Sequence, residues 1–452
     1  MTAPHLGPRV VVAGTHSGVG KTTVATGLMA ALRQAGARPG PAKVGPDFID
    51  PGYHALASGR PPRNLDAWLC GPDAVAPLAG RASEGCDLLV IEGVMGLFDG
   101  ASDGSASSTA DVAALLDTPV VLVVDASAMS DSVAAVVHGY ATFRPDVPVA
   151  GVILNQVGSA THATMLREAL SPLGIPVLGV IPRDEALRWR DRHLGLVPVA
   201  EQPAQVAASL DRLAAVIRAH VDLAAVVTLA RSAPPRRVAP VPLPPPGPAL
   251  RVAVAGGAAF TFTYTDSLEA LAAAGAEIIP LDPLVAHRLP DHIDGLIIGG
   301  GFPEVHGAGL AANRPFLADL GRRVAAGLPT WAECGGLLLL AQSLDGHPMA
   351  GVIAAGATMT ERLTLGYREA LTAALSPIGP AGTRLRGHEF HYSTIDPPGR
   401  ALLLTSRWGT RTDGWATPSL LATYLHHHPG GDPSAIAAFA ATCALRRALP
   451  RP

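Results

Sequence analysis

The sequence predicts an α/β protein made of two α/β domains in tandem, and three observations carry that reading. Short apolar runs alternate with Ala- and Leu-rich stretches: Val10-Val11-Val12, Leu88-Leu89-Val90-Ile91, Val120 through Val124, Val152-Ile153-Leu154 and Val177-Leu178-Gly179-Val180. Continuous runs of this length, separated by helix-sized connections, indicate parallel strands covered on both faces. The alternation stops at a proline-rich stretch from Ala233 through Pro234, Pro235, Pro242, Pro244, Pro245 and Pro246 to Pro248. Proline fixes φ and lacks an amide donor, so this stretch should be an extended spacer outside any sheet. The pattern restarts at Arg251-Val252-Ala253-Val254-Ala255, continues at Leu296-Ile297-Ile298, and recurs in the run that ends at Cys334. The expected organisation is a parallel-sheet domain over 1–232, a spacer over 233–249 and a second α/β domain over 250–452.

Composition narrows the function. Of 452 residues, 48% are hydrophobic and 16% charged, the balance of well-packed globular domains. A net charge of -3 argues against a nucleic-acid binder, which needs a basic surface, and favours small-molecule substrates. No apolar stretch is long enough to span a bilayer, and the first residues lack a signal peptide's pattern, so no membrane partner is expected. Cys70, Cys86, Cys334 and Cys443 form no CxxC pair, which speaks against metal and disulfide frameworks and for a reducing, cytoplasmic setting. A homodimer is compatible with the sequence.

The first element, strand Val10–Val12, leads into Gly14-Thr15-His16-Ser17-Gly18-Val19-Gly20-Lys21-Thr22-Thr23 and then a helical stretch. Strand, glycine-bearing loop and helix together indicate a phosphate site for ATP. Gly14, Gly18 and Gly20 let backbone amides approach phosphate oxygens, Lys21 reaches the β- and γ-phosphates, and Thr22, followed by Thr23 at the helix N-terminus, supplies a ligand for Mg²⁺. Thr15 stands where such loops usually carry Gly or Ala. The next strand ends in Glu92-Gly93-Val94-Met95-Gly96-Leu97-Phe98-Asp99-Gly100. Glu92 therefore sits at the carboxyl end of a buried strand, where open α/β sheets form their ligand crevice, as a second Mg²⁺ ligand. Lys43-Val44-Gly45-Pro46-Asp47-Phe48-Ile49-Asp50-Pro51-Gly52 adds a lysine and two acids on a segment that its prolines mark as a loop. Asn155, ending the strand Val152–Leu154, is placed to read adenine through its amide.

In the second half, Thr330-Trp331-Ala332-Glu333-Cys334-Gly335-Gly336 puts a thiol at a strand-to-helix transition with two glycines behind it. This is the logic of a nucleophile elbow, in which helix amides should lower the thiol pKa and hold an oxyanion. A base for the thiol lies in Ala422-Thr423-Tyr424-Leu425-His426-His427-His428-Pro429. Gly299-Gly300-Gly301-Phe302-Pro303-Glu304, after the strand Leu296–Ile298, offers further oxyanion-binding amides.

These residues carry a family resemblance. The second half resembles a class I glutamine amidotransferase domain, and the phosphate loop resembles that of dethiobiotin synthetase and its relatives, which activate carboxyl groups. Together with Lys43 to His54, Glu92 to Gly100, Arg192 to Pro198, Gly299 to Glu304 and Gly387-His388-Glu389-Phe390-His391-Tyr392, the chain is similar to the cobyrinic acid and hydrogenobyrinic acid a,c-diamide synthases along nearly its whole length.

The resemblance implies Cys334 as nucleophile and His426 as its base, with Gly300, Gly301 and Gly335 serving the oxyanion or glutamine. It further implies Asp47 beside Thr22 and Glu92 at the metal, and Lys43, Asp47, Phe48, Ile49, Asp50, Tyr53, Asp99 and His193 around the transferred phosphoryl group and the substrate. ATP, Mg²⁺, glutamine and a corrinoid acid are the implied cofactors and substrates. Ammonia released at Cys334 would pass between domains to an acyl phosphate. Cobyric acid synthase and a nickel-sirohydrochlorin diamide synthase share the same modules, and a partitioning-type ATPase switch shares the first alone. One departure stands out: class I domains usually place Glu two residues after the catalytic histidine, where this chain has His428 followed by Pro429.

Overall fold

A computed structural model describes residues 5–101, 104–184, 191–192, 195–196, 199–201 and 203–448. The chain divides into two compact units, Met1–Val241 and Pro242–Pro452.

In the first unit the described residues form one parallel sheet from β1 (Arg9–Gly14), β2 (Pro39–Val44), β3 (Arg63–Leu65), β4 (Leu88–Glu92), β5 (Val120–Asp125), β6 (Val149–Val157) and β7 (Val177–Pro182). Their order is β3-β2-β4-β1-β5-β6-β7, every neighbouring pair parallel. All residues of β1, β2 and β4 are buried, as strands covered on both faces require. The covering helices are α1 (Lys21–Gln34), α2 (Asp50–Ser58), α3 (Pro72–Ala82), α4 (Thr109–Leu115), α5 (Ser132–Thr142), α6 (Ala160–Leu170), α7 (Pro203–His220) and α8 (Leu223–Ser232). From β1 the chain moves outward to β2 and β3, returns to β4 and then leaves on the other side of β1 to β5. That reversal opens a crevice at the carboxyl end of β1, where α/β sheets bind ligands.

Three sequence expectations need correction here. Lys43 and Val44 belong to strand β2, whose Pro39 and Pro41 lie outside the pairing with β3 that covers Ala42 to Val44, and Asp50 opens α2 with Pro51 at its first turn. Only the intervening residues from Gly45 to Ile49 are a loop. The proline-rich stretch is not wholly free of pairing either: Arg236–Arg237 pairs antiparallel with His5–Leu6 in a two-residue ribbon. Strands β2 and β3 went unnoticed because Pro-Gly-Pro-Ala-Lys-Val and Arg-Asn-Leu contain no apolar run.

The second unit has β8 (Leu250–Ala255), α9 (Thr265–Ala273), β9 (Ala276–Leu281), β10 (Gly295–Ile298), α10 (Gly307–Ala312), α11 (Arg314–Ala325), β11 (Thr330–Glu333) and α12 (Gly335–Leu340). There follow β12 (Ala341–Leu344), β13 (His347–Pro348), β14 (Ile353–Thr372), β15 (Arg384–Asp396), β16 (Leu402–Ser406), β17 (Gly409–Asp413), β18 (Trp415–Thr417), β19 (Leu420–Thr423), β20 (His426–His427) and α13 (Ser434–Ala448). One sheet runs β9-β8-β10-β11-β19-β18, parallel except for its last pair. A second, mostly antiparallel sheet runs β13-β12-β14-β15-β20, with β16 paired to β14 and β17 to β16. The sequence did not disclose this second sheet. Its long strand β14 is largely half-exposed and rich in Thr, Arg and Glu, so it lacks the continuous apolar run that marks a doubly covered strand. Between β19 and β20 the chain steps from one sheet to the other, and His426 stands at that step.

Candidate active sites

In the first unit the chain turns from β1 into α1 through a loop with Gly18 at φ 86° and Gly20 at φ 96°. Gly20 cannot be replaced cheaply: it is left-handed, and a Cβ there would overlap the Asn155 amide. Asn155 Nδ2 donates to the carbonyl of Val19 at 2.9 Å, so this strand-end amide braces the loop. Thr15 shares a hydrogen bond with His16 Nδ1 at 3.0 Å, and its carbonyl accepts from the Tyr140 hydroxyl. The Leu97 amide donates to the carbonyl of Gly14 at 2.9 Å, which lays the Glu92–Gly100 segment along the phosphate loop. Asp99 caps its own turn there, accepting from the Gly96 amide at 2.9 Å.

Thr22 stands in the first turn of α1 and its hydroxyl donates to Glu92 Oε1 at 2.6 Å, with Asp50 Oδ2 at 3.3 Å. Lys43 Nζ donates to Asp50 Oδ2 at 2.7 Å, Glu92 Oε1 at 2.9 Å and the Gly93 carbonyl at 3.1 Å; Asp47 Oδ2 lies 3.9 Å away. His54 Nε2 meets Glu92 Oε2 at 2.5 Å. Strand ends β2 and β4 and the helices α1 and α2 thus converge on Glu92, which has no exposed surface. Burial would raise the Glu92 pKa, but the Lys43 charge and the His54 contact outweigh it and hold the carboxyl well below the usual range. Lys43 behaves in mirror image: burial is outweighed by Asp50, Glu92 and Asp47, and its ammonium is held above the ordinary value. Asp47 is pushed up, first by desolvation and then by Asp50. Lys21 donates to the His16 carbonyl at 3.0 Å, and burial reinforced by the Lys43 charge brings it down to about 8.

For a divalent cation, the hard oxygens of Thr22, Glu92 and Asp50 fit in type and in proximity. Asp47 was the expected third ligand, yet the carboxylate within reach of Thr22 is Asp50. Asp47 instead accepts from the Ile49 amide at 2.8 Å, and Asn64 holds the same loop through the carbonyls of Gly45 and Asp47 at 2.8 and 2.7 Å. Phe48 is half-buried, Ile49 and Tyr53 are buried, and His193 lies outside the described residues. His54 escaped the sequence reading although a signal existed: it follows Asp50 by four residues, which puts both on one face of α2.

In the second unit β11 ends at Glu333 and the chain bends at Cys334, with φ 48° and ψ -102°, into α12. A positive φ at a non-glycine residue is the strained turn of a nucleophile elbow. The Cys334 amide donates to the Thr423 carbonyl at 2.7 Å, tying the elbow to the end of β19. His426 follows three residues later, so nucleophile and base stand at the ends of adjacent parallel strands. Gly300 abuts the imidazole; a Cβ there would lie 2.5 Å from His426 Cε1. The Gly301 amide nitrogen is 3.1 Å from where a Cβ on Gly335 would stand. Cys334, His426, Gly300, Gly301 and Gly335 are therefore gathered at one place.

The thiol itself contradicts one expectation. Cys334 is buried, and desolvation together with the Glu304 charge pushes its pKa up, outweighing the hydrogen bond from the Gly335 amide. The resting nucleophile is a neutral thiol, so it needs a base during attack.

Sequence reasoning also left the Gly387–Tyr392 stretch without a task. On β15, Glu389 is fully buried and pairs with Arg368 at 2.7 Å and with Arg411. Burial works against this carboxyl, but the nearby His391 and the two arginines bring it to about 2. His391 stacks on Tyr424, ring centroids 3.8 Å apart, and His388 pairs in register with His426. The Tyr424 amide donates to Asp413 at 3.0 Å. The motif buttresses the segment that carries the base.

Comparison with known proteins identifies the family and its two domains. The family model of the CobQ/CobB/MinD/ParA nucleotide binding domain matches residues 10–197, and that of the CobB/CobQ-like glutamine amidotransferase domain matches residues 251–433. Hydrogenobyrinate a,c-diamide synthase from Streptomyces coelicolor is 47% identical, over 96% of this chain and 97% of its own. The protein of that name from Thermobifida fusca is 47% identical over 97% and 98%, and cobyrinate a,c-diamide synthase from Syntrophotalea carbinolica is 41% identical over 96% and 98%. The chain belongs to the a,c-diamide synthase family. Like the family, it is a glutamine-dependent carbon–nitrogen ligase with a nucleotide-binding domain ahead of an amidotransferase domain. Among the described residues no helix is long and apolar enough to cross a membrane.

Proposed function

We propose that the chain converts the a and c acetate carboxylates of hydrogenobyrinic acid, or of its cobalt-containing counterpart cobyrinic acid, into amides, using ATP and glutamine in a cytoplasmic step of cobalamin biosynthesis. The observation that carries this reading is the pairing, in one chain, of a Cys334–His426 elbow with a phosphate loop whose Thr22 meets Glu92 at 2.6 Å. Relatives named for both rings support it, and the higher identity to the hydrogenobyrinate enzymes favours the cobalt-free ring.

Residues 1–232 form the amidating domain in this reading. A carboxylate is a poor electrophile, so its oxygen first takes the γ-phosphoryl group of ATP, giving an acyl phosphate and ADP; ammonia then displaces phosphate. Lys21 and the loop amides hold the phosphate oxygens, and Asn155 at the end of β6 braces the loop through the Val19 carbonyl. Mg²⁺, held by Thr22, Glu92 and Asp50 with Asp47 nearby, would neutralise charge on the phosphates. Lys43 keeps these carboxylates ionised and close together.

Residues 250–452 supply the ammonia. The Cys334 thiol gives its proton to His426 as sulfur bonds to the glutamine side-chain carbonyl, while the amides of Gly301 and Gly335 face the developing oxyanion. The proton passes to the departing nitrogen, ammonia leaves, and water hydrolyses the thioester to glutamate.

Cys334→Ser should abolish glutamine-driven synthesis and keep synthesis from ammonium salts. Mass spectrometry with either ring acid should record two successive exchanges of OH for NH₂. If neither ring shifts in mass with ATP, Mg²⁺ and ammonium present, the corrinoid assignment is wrong.

A further inference from the structure

The usual third member of the thiol site is missing from its expected place, and the structure shows what stands nearby. His428, two residues after His426, is buried and turned toward Asp266, with Nε2 3.8 Å from Oδ2. It cannot act as the carboxylate that orients a neighbouring imidazole. Glu333, the last residue of β11, does meet that need: its Oε2 lies 3.7 Å from His426 Nδ1, and its Oε1 accepts from the His427 amide at 3.2 Å. Strand pairing fixes the approach, because Glu333 is in register with Thr423, three residues before His426.

We propose that Glu333 is the positioning carboxylate of the glutamine site, replacing from the nucleophile's own strand the residue this chain lacks after the histidine. This rests on the glutamine-hydrolysing reading of Cys334. A carboxylate at Nδ1 keeps the proton there, so Nε2 carries the lone pair that receives the thiol proton. When the Sγ–H bond breaks and the Sγ–C bond forms, the imidazolium that results is stabilised by Glu333. The backbone bond to His427 holds the carboxylate in place beforehand, and Gly300 and Phe262 pack on the ring and limit its rotation. A Nδ1 to Oε2 separation of 3.7 Å is a loose contact of the kind that tightens when substrate closes a site.

The test compares Glu333→Gln and Glu333→Asp with the wild-type chain, under glutamine and under ammonium, after Cys334→Ser has shown that glutamine-driven synthesis needs the thiol. If Cys334→Ser keeps its glutamine-driven rate, the glutamine reading itself fails. Otherwise Glu333→Gln should lower the glutamine-driven kcat about 10- to 100-fold, with KM for glutamine within about twofold and the ammonium-driven rate unchanged. Its pH profile of kcat/KM for glutamine should have an acid limb at lower pH, because the histidine loses a nearby negative charge. The charged and titratable groups near this dyad include Glu333, His388, Glu304, Glu389, Tyr424 and His427, and only the first is altered. Glu333→Asp should recover part of the rate. A glutamine-driven kcat within about twofold of wild type overturns the proposal, as does a raised KM at unchanged kcat, which would make Glu333 a substrate contact. Equal losses under glutamine and ammonium in both variants would assign it to folding instead.

Discussion

Replacing Lys43 by methionine tests whether this lysine is the counter-ion that makes the first site possible. The wild-type ammonium is 3% exposed and lies 2.7 Å from Asp50 and 2.9 Å from Glu92, with Glu92 itself fully buried. At an effective dielectric constant near 20, a pair at that separation is worth roughly 6 kcal/mol before desolvation is subtracted. Methionine keeps most of the volume but strands the carboxylates, and removing one partner of a buried pair costs about 3–5 kcal/mol. For a unit of this size that corresponds to a fall in Tm of roughly 6–20 °C. The pH dependence supplies a second signature. Glu92 is held below its unfolded pKa, so its stabilising contribution is present above that value and lost as pH falls through the folded one; Lys43, held above its own, contributes until pH rises through its folded value. In Lys43→Met the Glu92 carboxyl loses what holds it down and protonates earlier, so the stability gap to wild type should narrow as pH drops from 7 toward 4. Thermal unfolding of the full chain, with hydrogen exchange at Leu88–Glu92 to localise the effect, measures both. A gap below about 1 kcal/mol, or one constant across that pH range, would refute the assignment, and Lys43→Met with Glu92→Gln should be less damaged than Lys43→Met alone.

Two further outcomes follow from the same geometry, beside those given for Cys334 and Glu333. In Gly300→Ala the new methyl would stand 2.5 Å from His426 Cε1 and 3.2 Å from Phe262 Cδ2, and displacing the imidazole should lower glutamine-driven kcat about 100-fold without touching ammonium-driven synthesis; near-wild-type kinetics would show that the glycine loop yields. Because Lys21 titrates at about 8 in the free chain and must be cationic to hold phosphates, ATP affinity measured by calorimetry should fall as pH rises above that value, by up to about tenfold per unit, and Lys21→Arg should remove the dependence; a flat affinity between pH 7 and 9.5 would contradict it.

The sequence disclosed elements whose chemistry is local and concealed those whose meaning depends on partners. Apolar runs such as Leu88–Ile91 are legible because a doubly covered strand must be apolar throughout, whereas β2 reads Pro-Gly-Pro-Ala-Lys-Val and is a strand only because β4 and β3 flank it. The same holds within the sites. Thr22, Lys21 and Cys334 are announced by the glycines around them. His54, Asp50 in place of Asp47 as the acid that joins Glu92 at Thr22, and Glu333 become visible in those roles only when a helix face or a strand end turns them toward a distant partner. The upward shift at Cys334 was hidden for that reason too, since helix position is visible in the sequence and burial with Glu304 is not.

The two buried lysines of the first site show how one environment assigns different tasks to like residues. Lys43 sits among Asp47, Asp50 and Glu92, so for it the carboxylates outweigh desolvation and the charge is locked on. Lys21 has its hydrogen bond to a carbonyl of its own loop, and for it burial and the repulsion of Lys43 prevail. A lysine in the first condition cannot release its partners without leaving buried charge behind, so it holds a fixed frame. A lysine in the second gains its full charge when an anion arrives, which makes phosphate binding and protonation a single coupled event. The locked lysine thus raises the charge response of the poised one, and neutralising Lys43 should shift the Lys21-linked fall in ATP affinity to higher pH in any variant that still folds.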